Sequence, residues 1–432
     1  MKAFQIILLG FFVALAIAGL VAFAMFRGGS QQASTITVWG MVPNESIDKI
    51  LGELRSSRNG AVNMTYIYKD PAVFDSDLLN AIASGKSPDA VILPNDLIYR
   101  YSDKIIPVPY SNLSESDFRD TYVDMASVYL TTNGILALPI SVDPLIMYWN
   151  RDIFNTTGKT NPPAYWDELQ AMVPDFVVKN ASKDIMRSGV AFGEFRNVTH
   201  PKELLTLLMM QAGSRMVENN AGYYTANLDE STTGSGVYPA SAAFRYYSDF
   251  ADPNKIVYSW NRSLKNDKQT FIAGDLAVYF GLASEYNEIA AKNPNLNFGI
   301  SSVPQKRDAR IFITDGLMNG FSILKGSANP SNALTQITKI LAPDVLQYWV
   351  DYGKIVPARR DMLATTNSDN ILKVLSYRSA LSAKTWMDPD GKETDRIFQQ
   401  SIESISTGKN YVYEAIADLN GGINLLLAKY KK

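Results

Sequence analysis

The stretch Gly134-Ile-Leu-Ala-Leu-Pro-Ile-Ser-Val-Asp-Pro-Leu-Ile-Met-Tyr-Trp-Asn-Arg-Asp-Ile-Phe154 decides the fold. It holds two apolar runs, residues 135–140 and 145–149, each of strand length and too short for an ordinary helix. Pro139 and Pro144 interrupt them. Proline lacks an N–H and pushes the residue before it toward an extended conformation. An extended chain broken by two prolines can leave one sheet and enter another without a compact turn. Residues 150–154 then read as a helix opening, since Asn and Asp side chains accept from the free N–H groups of a first turn. The segment therefore reads as a crossover between two lobes, with Ser141, Val142 and Asp143 at the mouth of the cleft between them.

Working outward toward the N-terminus, residues 36–39 form a short strand, and Ile47, Ile50, Leu51 and Leu54 give a helix one apolar face. Val62, Met64, Tyr66 and Tyr68 alternate with Asn63, Thr65 and Ile67, as a strand requires. Asp75 is placed to cap a helix that Gly85 stops. Residues 89–93 are the next strand, with Pro94, Asn95 and Asp96 in the loop after it, and Ser114 with Asp117 fits a capping box. Toward the C-terminus, a helix over 165–173 ends at Pro174, Thr199 caps a helix over 201–212, and residues 276–280 form a buried strand. Residues 298–303 return the chain to the first lobe, where 310–314 and 321–324 are strands, and residues 352–357 make a third crossing. Alternating strands and helices imply parallel pairing with right-handed crossovers. The fold class is α/β, with two lobes, each a mostly parallel sheet flanked by helices. Residues 35–142 plus 304–354 form one lobe, and residues 143–303 plus 355–432 form the other.

At 432 residues the chain exceeds one ordinary domain, and 46% hydrophobic with 19% charged residues describes a globular protein with a real core. A net charge of −2 leaves no electrostatic footprint for nucleic acid. The chain has no cysteine, so disulfides and thiol chemistry are excluded. The only histidine is His200, which reads as structural, and a His-rich metal site is impossible. No cofactor is expected. Residues 3–26 are almost wholly apolar and uncharged, long enough to span a bilayer as a helix. Lys2 ahead of them favours a cytoplasmic N-terminus and an exported body. An uncleaved anchor is the expectation. The alternative is a cleaved signal peptide, since small-x-small steps such as Ala22-Phe-Ala24 occur inside the run. Residues 28–34 read as a flexible tether.

Several motifs together carry a resemblance. Leu138, Pro139, Asp143, Tyr148, Asn150, Asp152 and Phe154 are followed by Trp166-Asp-Glu-Leu169, Phe271-Ile-Ala-Gly-Asp-Leu-Ala277, Gly320-Phe-Ser-Ile-Leu-Lys-Gly-Ser327 and Tyr352-Gly-Lys-Ile-Val-Pro357. In order and spacing the chain resembles the extracellular solute-binding proteins of bacterial ABC importers, in the sugar-binding branch of maltose-binding-protein type. The resemblance implies the periplasmic-binding-protein type II fold, with a multi-strand hinge and an interlobe cleft. It implies a monomer that delivers a sugar or similar polar solute to the permease subunits of an importer. The chain departs from the family at two points. It has no cysteine to carry a lipid, and Ala283 stands near where some relatives carry a stacking Trp.

In open α/β sheets, ligands sit beyond the carboxyl ends of strands. Sugars need an aromatic platform for their C–H face and paired polar groups for their hydroxyls. The candidates at strand ends are Trp39, Asn95, Asp96, Asp143, Glu194, Asn197, Glu285 and Asp315, and Trp386 lies in a segment that in relatives brings an aromatic over the cleft. Each has a bland reading. Trp39 can lid the core, Asp143 can be a cap or hinge contact, and Glu194 and Asn197 can solvate a loop. Trp149, Trp166 and Trp260 read as core. Two other functions compete with solute capture. One is an anchored glycoside hydrolase or lyase, which needs two carboxylates across a scissile bond, and no pair is marked as such. The other is a sensory receptor that uses the same closing cleft.

Overall fold

The computed structural model describes residues 35–56, 62–220, 222–230, 238–364 and 368–430. The expected anchor at 3–26, the tether and most of the 229–236 loop lie outside the described residues. Strands β1 (Ile36–Gly40), β2 (Met64–Tyr68), β3 (Ala90–Pro94) and β4 (Ile105–Ile106) precede a hairpin of β5 (Leu130–Thr131) and β6 (Gly134–Ile135). Then come β7 (Leu138–Asn150), β8 (Val178–Lys179) and β9 (Ile185–Val190), and a second hairpin of β10 (Val217–Asn220) and β11 (Tyr223–Ala226). β12 (Leu276–Leu282), β13 (Phe298–Ser301) and β14 (Gly316–Leu324) complete the set. Ten of them share one hydrogen-bonded sheet, in the order β2-β1-β3-β14-β7-β12-β9-β8, with β13 also on β7 and β4 on β14.

β7 is the hub. Its first part runs antiparallel to β14, from Leu138 opposite Phe321 to Pro144 opposite Gly316. Its second part runs antiparallel to β12, from Leu145 opposite Leu282 to Trp149 opposite Val278, and pairs with β13 over Met147–Asn150. One strand of 13 residues thus serves both halves. This corrects the reading of two runs broken by proline. Pro139 lies where the β14 register shifts between Asn319 and Gly320. Pro144 faces Gly316, where an added Cβ would sit 2.8 Å from the Pro144 Cα. Both prolines are accommodated because their partners are irregular or small. A third segment passes alongside, with the Val142 N–H donating to the Val356 carbonyl at 2.9 Å and the Ala358 N–H to that of Ile140 at 3.1 Å. The apolar interior is continuous through β7 into both halves.

β1 is parallel to β2 and β3, and β12 is parallel to β9, but every pairing of β7 and β14 is antiparallel. The sheet is therefore mixed. Asn150 caps helix Arg151–Thr156, accepting from the N–H groups of Asp152 and Ile153 at 3.0 and 3.1 Å. Ser114 accepts from the Asp117 N–H at 3.0 Å. Other expectations fail locally. Asp75 lies within helix Phe74–Ala83, and its carboxylate is taken by Arg100 and Tyr101. The Thr199 hydroxyl donates to Asp267, leaving His200 at the start of helix Pro201–Ala212. Pro174 sits inside helix Trp166–Phe176, whose last turn is held by buried Val173 and Phe176. Residues 310–314 form no strand beyond a single bridge from Thr314 to Ala383.

Candidate functional site

The two halves meet along a polar seam. Helix Asn95–Ile98 follows β3 directly, so the Asn95 and Asp96 side chains leave the carboxyl end of a central strand. Asn95 is buried. Its Oδ1 accepts from the Met318 N–H at 2.9 Å and its Nδ2 donates to Thr385 Oγ1 at 3.2 Å. Asp96 lies against Gly391, where an added Cβ would come within 2.6 Å of Asp96 Oδ2. Asp96 Oδ1 is buried without a hydrogen-bond partner. Burial pushes the Asp96 carboxyl up to about 6, against the pull of the Lys202 charge. Arg100 holds Asp75 at 2.7 Å and reaches across to Asp390 at 2.7 Å.

Lys202 enters from the other half on helix Pro201–Ala212. Its ammonium pairs with Asp388 at 3.1 Å and with Asp395 at 2.6 Å. Burial opposes its charge, but the surrounding carboxylates, Asp388 foremost, hold its pKa well above the ordinary lysine value. One turn along, the Thr206 hydroxyl donates to Asp315 Oδ2 at 2.6 Å, while Asp315 Oδ1 accepts from the Gly316 N–H at 2.8 Å. Burial pushes the Asp315 carboxyl up to about 7. Asp143 accepts from the Ser284 N–H at 3.0 Å, and burial raises its pKa as well. Beside it, His200 Nε2 is 2.6 Å from Glu285 Oε1, and the Tyr279 hydroxyl donates to Glu285 Oε2 at 2.5 Å. Burial alone would lower the His200 pKa, but the Glu285 carboxylate outweighs it and the net shift is upward.

A cavity of about 640 Å³ adjoins this seam at Thr385 and Trp386. The first half contributes Tyr99, Tyr110 and Arg119, and the second contributes Arg215 and Tyr224 around the β10–β11 hairpin. Tyr99 meets Tyr224 edge-on, with ring centroids 6.2 Å apart at 72°. The Tyr99 hydroxyl donates to the Val128 carbonyl at 2.8 Å and that of Tyr110 to the Thr131 carbonyl at 2.7 Å, so both rings are fixed. Arg119 is held by Glu115 at 2.7 Å, and Arg215 by Glu218 at 2.7 Å. Rigid aromatic walls with charged hydrogen-bonding groups at the rim suit a polar solute with apolar faces. Among the described residues no group of three or more His, Cys, Asp or Glu could hold a metal ion, and no helix is long and apolar enough to cross a membrane.

Of the residues expected from sequence, Asn95, Asp96, Asp315 and Trp386 converge on the seam and cavity, and Asp143 and Glu285 adjoin them. Trp39 instead packs under Lys69, 4.1 Å from the ring centroid, within the first half. Glu194 pairs with Arg262 at 3.3 Å. The Asn197 amide is spent on the Asn261 and Leu264 carbonyls and on accepting from the Trp260 indole. Sequence reasoning missed Lys202, Tyr99, Tyr110, Tyr224, Arg100 and Asp388. One signal was available. Lys202 shares a helix face with Leu205, Thr206 and Met209, all buried, so a lone cation occupies a core phase.

Residues 56–373 match the family model for bacterial extracellular solute-binding proteins. The match spans well over half of the chain, and the protein belongs to that family. Proteins of Brucella abortus and Brucella suis described as binding proteins are 22% identical over 365 residues, covering 82% of this chain and 82% of theirs. Among solved structures, the cyclic α-maltosyl-1,6-maltose binding protein of Arthrobacter globiformis is similar at a TM-score of 0.74 with 17% identity, covering 91% of this chain and 99% of that one. The sugar-binding protein MalE of Xanthomonas citri follows at 0.71 and 17%, covering 92% and 98%. These likenesses establish the periplasmic-binding-protein fold, two halves joined through shared strands.

Proposed function

We propose that this protein captures a carbohydrate between its two halves and hands it, chemically unchanged, to the permease of an ABC importer. The observation that carries this reading is the interlobe cavity walled by Tyr99, Tyr110, Tyr224 and Trp386, with Arg119 and Arg215 at its rim. Aromatic faces stack on the C–H surface of a pyranose, and charged groups make the stronger hydrogen bonds to hydroxyls. The family membership and structural neighbours that bind malto-oligosaccharides, one of them complexed with maltotetraose, support it. The seam residues Asn95, Asp96 and Asp315, which meet Thr385, Gly391 and Thr206 of the other half, act as the closing surfaces of the clamp, while Asp143 and Glu285 hold partners in their own half and brace it.

The halves that move are residues 35–142 with 304–354, and residues 143–303 with 355–432. The apolar run at 3–26 tethers a monomeric body on the extracytoplasmic side of the membrane. Trp39, Glu194 and Asn197 keep their partners within one half and serve the scaffold. Thermal unfolding against a sugar panel tests the reading, because a ligand that binds only the folded state raises its stability by RT ln(1 + [L]/Kd). A shift with sugars and no release of reducing ends supports capture. Hydrolysis of an oligosaccharide would point to a glycosidase, and stabilisation by peptides alone would sink the sugar assignment.

A further inference from the structure

A second cavity, of about 740 Å³, lies on the other side of Tyr99 and Tyr224 and shares Thr131 and Thr132 with the first. Each cavity falls within the size range of a small-ligand site, and the two adjoin, so the groove suits an oligosaccharide better than a single sugar. Their charges differ. The second is lined by Arg100, Lys104, Lys325 and Lys429, with Asp103 as its one lining carboxylate. Arg100 is offset by Asp75 and Asp390, and Lys104 by Asp103 at 2.7 Å. Lys325 donates to the Asp103 main-chain carbonyl at 2.7 Å and enters no ion pair among the described residues. Lys429 enters no ion pair among the described residues; it comes from the final short helix Ala428–Tyr430, whose Tyr430 meets Tyr99 edge-on at 6.0 Å.

Exposed lysines are ordinary on a protein surface. Here lysines from three distant parts of the chain converge on one concave chamber with tyrosine walls, which shares Tyr99, Tyr224, Thr131 and Thr132 with the proposed solute cavity. We infer that the solute is an acidic oligosaccharide, whose neutral end lies against Tyr110, Tyr224 and Trp386 and whose anionic unit, a carboxylated or sulfated sugar, is received by Lys325 and Lys429. The inference rests on the sugar-capture reading and names the class of sugar. Lysine recognises such groups as a point charge rather than through a bidentate fork, which leaves carboxylate and sulfate both admissible.

The test is calorimetric titration of the full chain with oligogalacturonate, with a sulfated oligosaccharide and with a neutral malto-oligosaccharide, each at low and high salt. Binding of either acidic ligand should be tighter than that of the neutral one and should weaken with salt. Which acidic ligand binds tighter identifies the anionic group. The double variant Lys325→Gln/Lys429→Gln should lose about tenfold in affinity for the acidic ligand and none for the neutral one, as two exposed charge contacts removed together imply. Both lysines are exposed, so the melting temperature of the variant should be unchanged. Equal affinities for neutral and acidic ligands, or an unaltered acidic affinity in the double variant, would overturn this inference and leave sugar capture standing. Absence of binding by all three sugars would overturn both.

Discussion

Asp315 offers the sharpest physical test of the seam. It is 3% exposed, accepts from Thr206 and Gly316, and has its carboxyl raised from 3.8 to about 7 by burial. In the unfolded chain the same carboxyl loses its proton near pH 4. Between these limits the folded state holds the extra proton, so stability is greatest below the unfolded value and falls as pH rises toward 7. At one pKa unit per 1.36 kcal/mol, the carboxyl costs the fold about 1.7 kcal/mol at pH 5 and about 4 kcal/mol at pH 8. Asp315→Asn keeps the shape, and its amide can accept from the Gly316 N–H and donate to the Thr206 hydroxyl, but it cannot ionise. The variant should therefore gain stability over the parent by an amount that grows by about 2.5 kcal/mol from pH 5 to pH 8. Urea unfolding of both proteins at the two pH values measures this. A difference independent of pH, or one that shrinks toward pH 8, would refute a raised Asp315.

Lys202→Met should destabilise the fold by about 3–5 kcal/mol in denaturant titrations, because it leaves Asp388 buried without its ammonium, and adding Asp388→Asn should recover part of that loss. Gly391→Ala places a methyl 2.6 Å from Asp96 Oδ2, so the seam should part there and the radius of gyration in solution scattering should rise. An unchanged radius would mean that Asp96 and Gly391 are not what seals the halves.

The crossover was legible because its signals are local. Apolar runs, two prolines and an Asn cap all act within a few residues, and β7 with its helix lies where they place it. What was not legible is that the two runs are one strand. That depends on Gly316 and on the β14 irregularity at Gly320, some 170 residues away in sequence, which let the prolines stay in the sheet. The site divides the same way. Asn95 and Asp96 follow β3 and Asp315 precedes β14, strand-end positions that periodicity predicts, whereas Asp143 lies within β7. Tyr99, Tyr110 and Tyr224 come from irregular connections and a small hairpin, and only the docking of the two halves makes them neighbours. Asp75 and Thr199 read as caps because their types suit caps, but tertiary partners, Arg100 and Asp267, won the competition for their side chains.

The central claim is that solute is held from both sides at once, and one measurement addresses it directly. Tyr110→Ala removes a wall from the first half, and Tyr224→Ala removes one from the second. Titration of a sugar that stabilises the parent should show each variant losing at least tenfold in affinity, with the heat of binding much reduced when both are combined. If either variant binds as the parent does while remaining folded, the solute is held by one half alone and the clamp is contradicted.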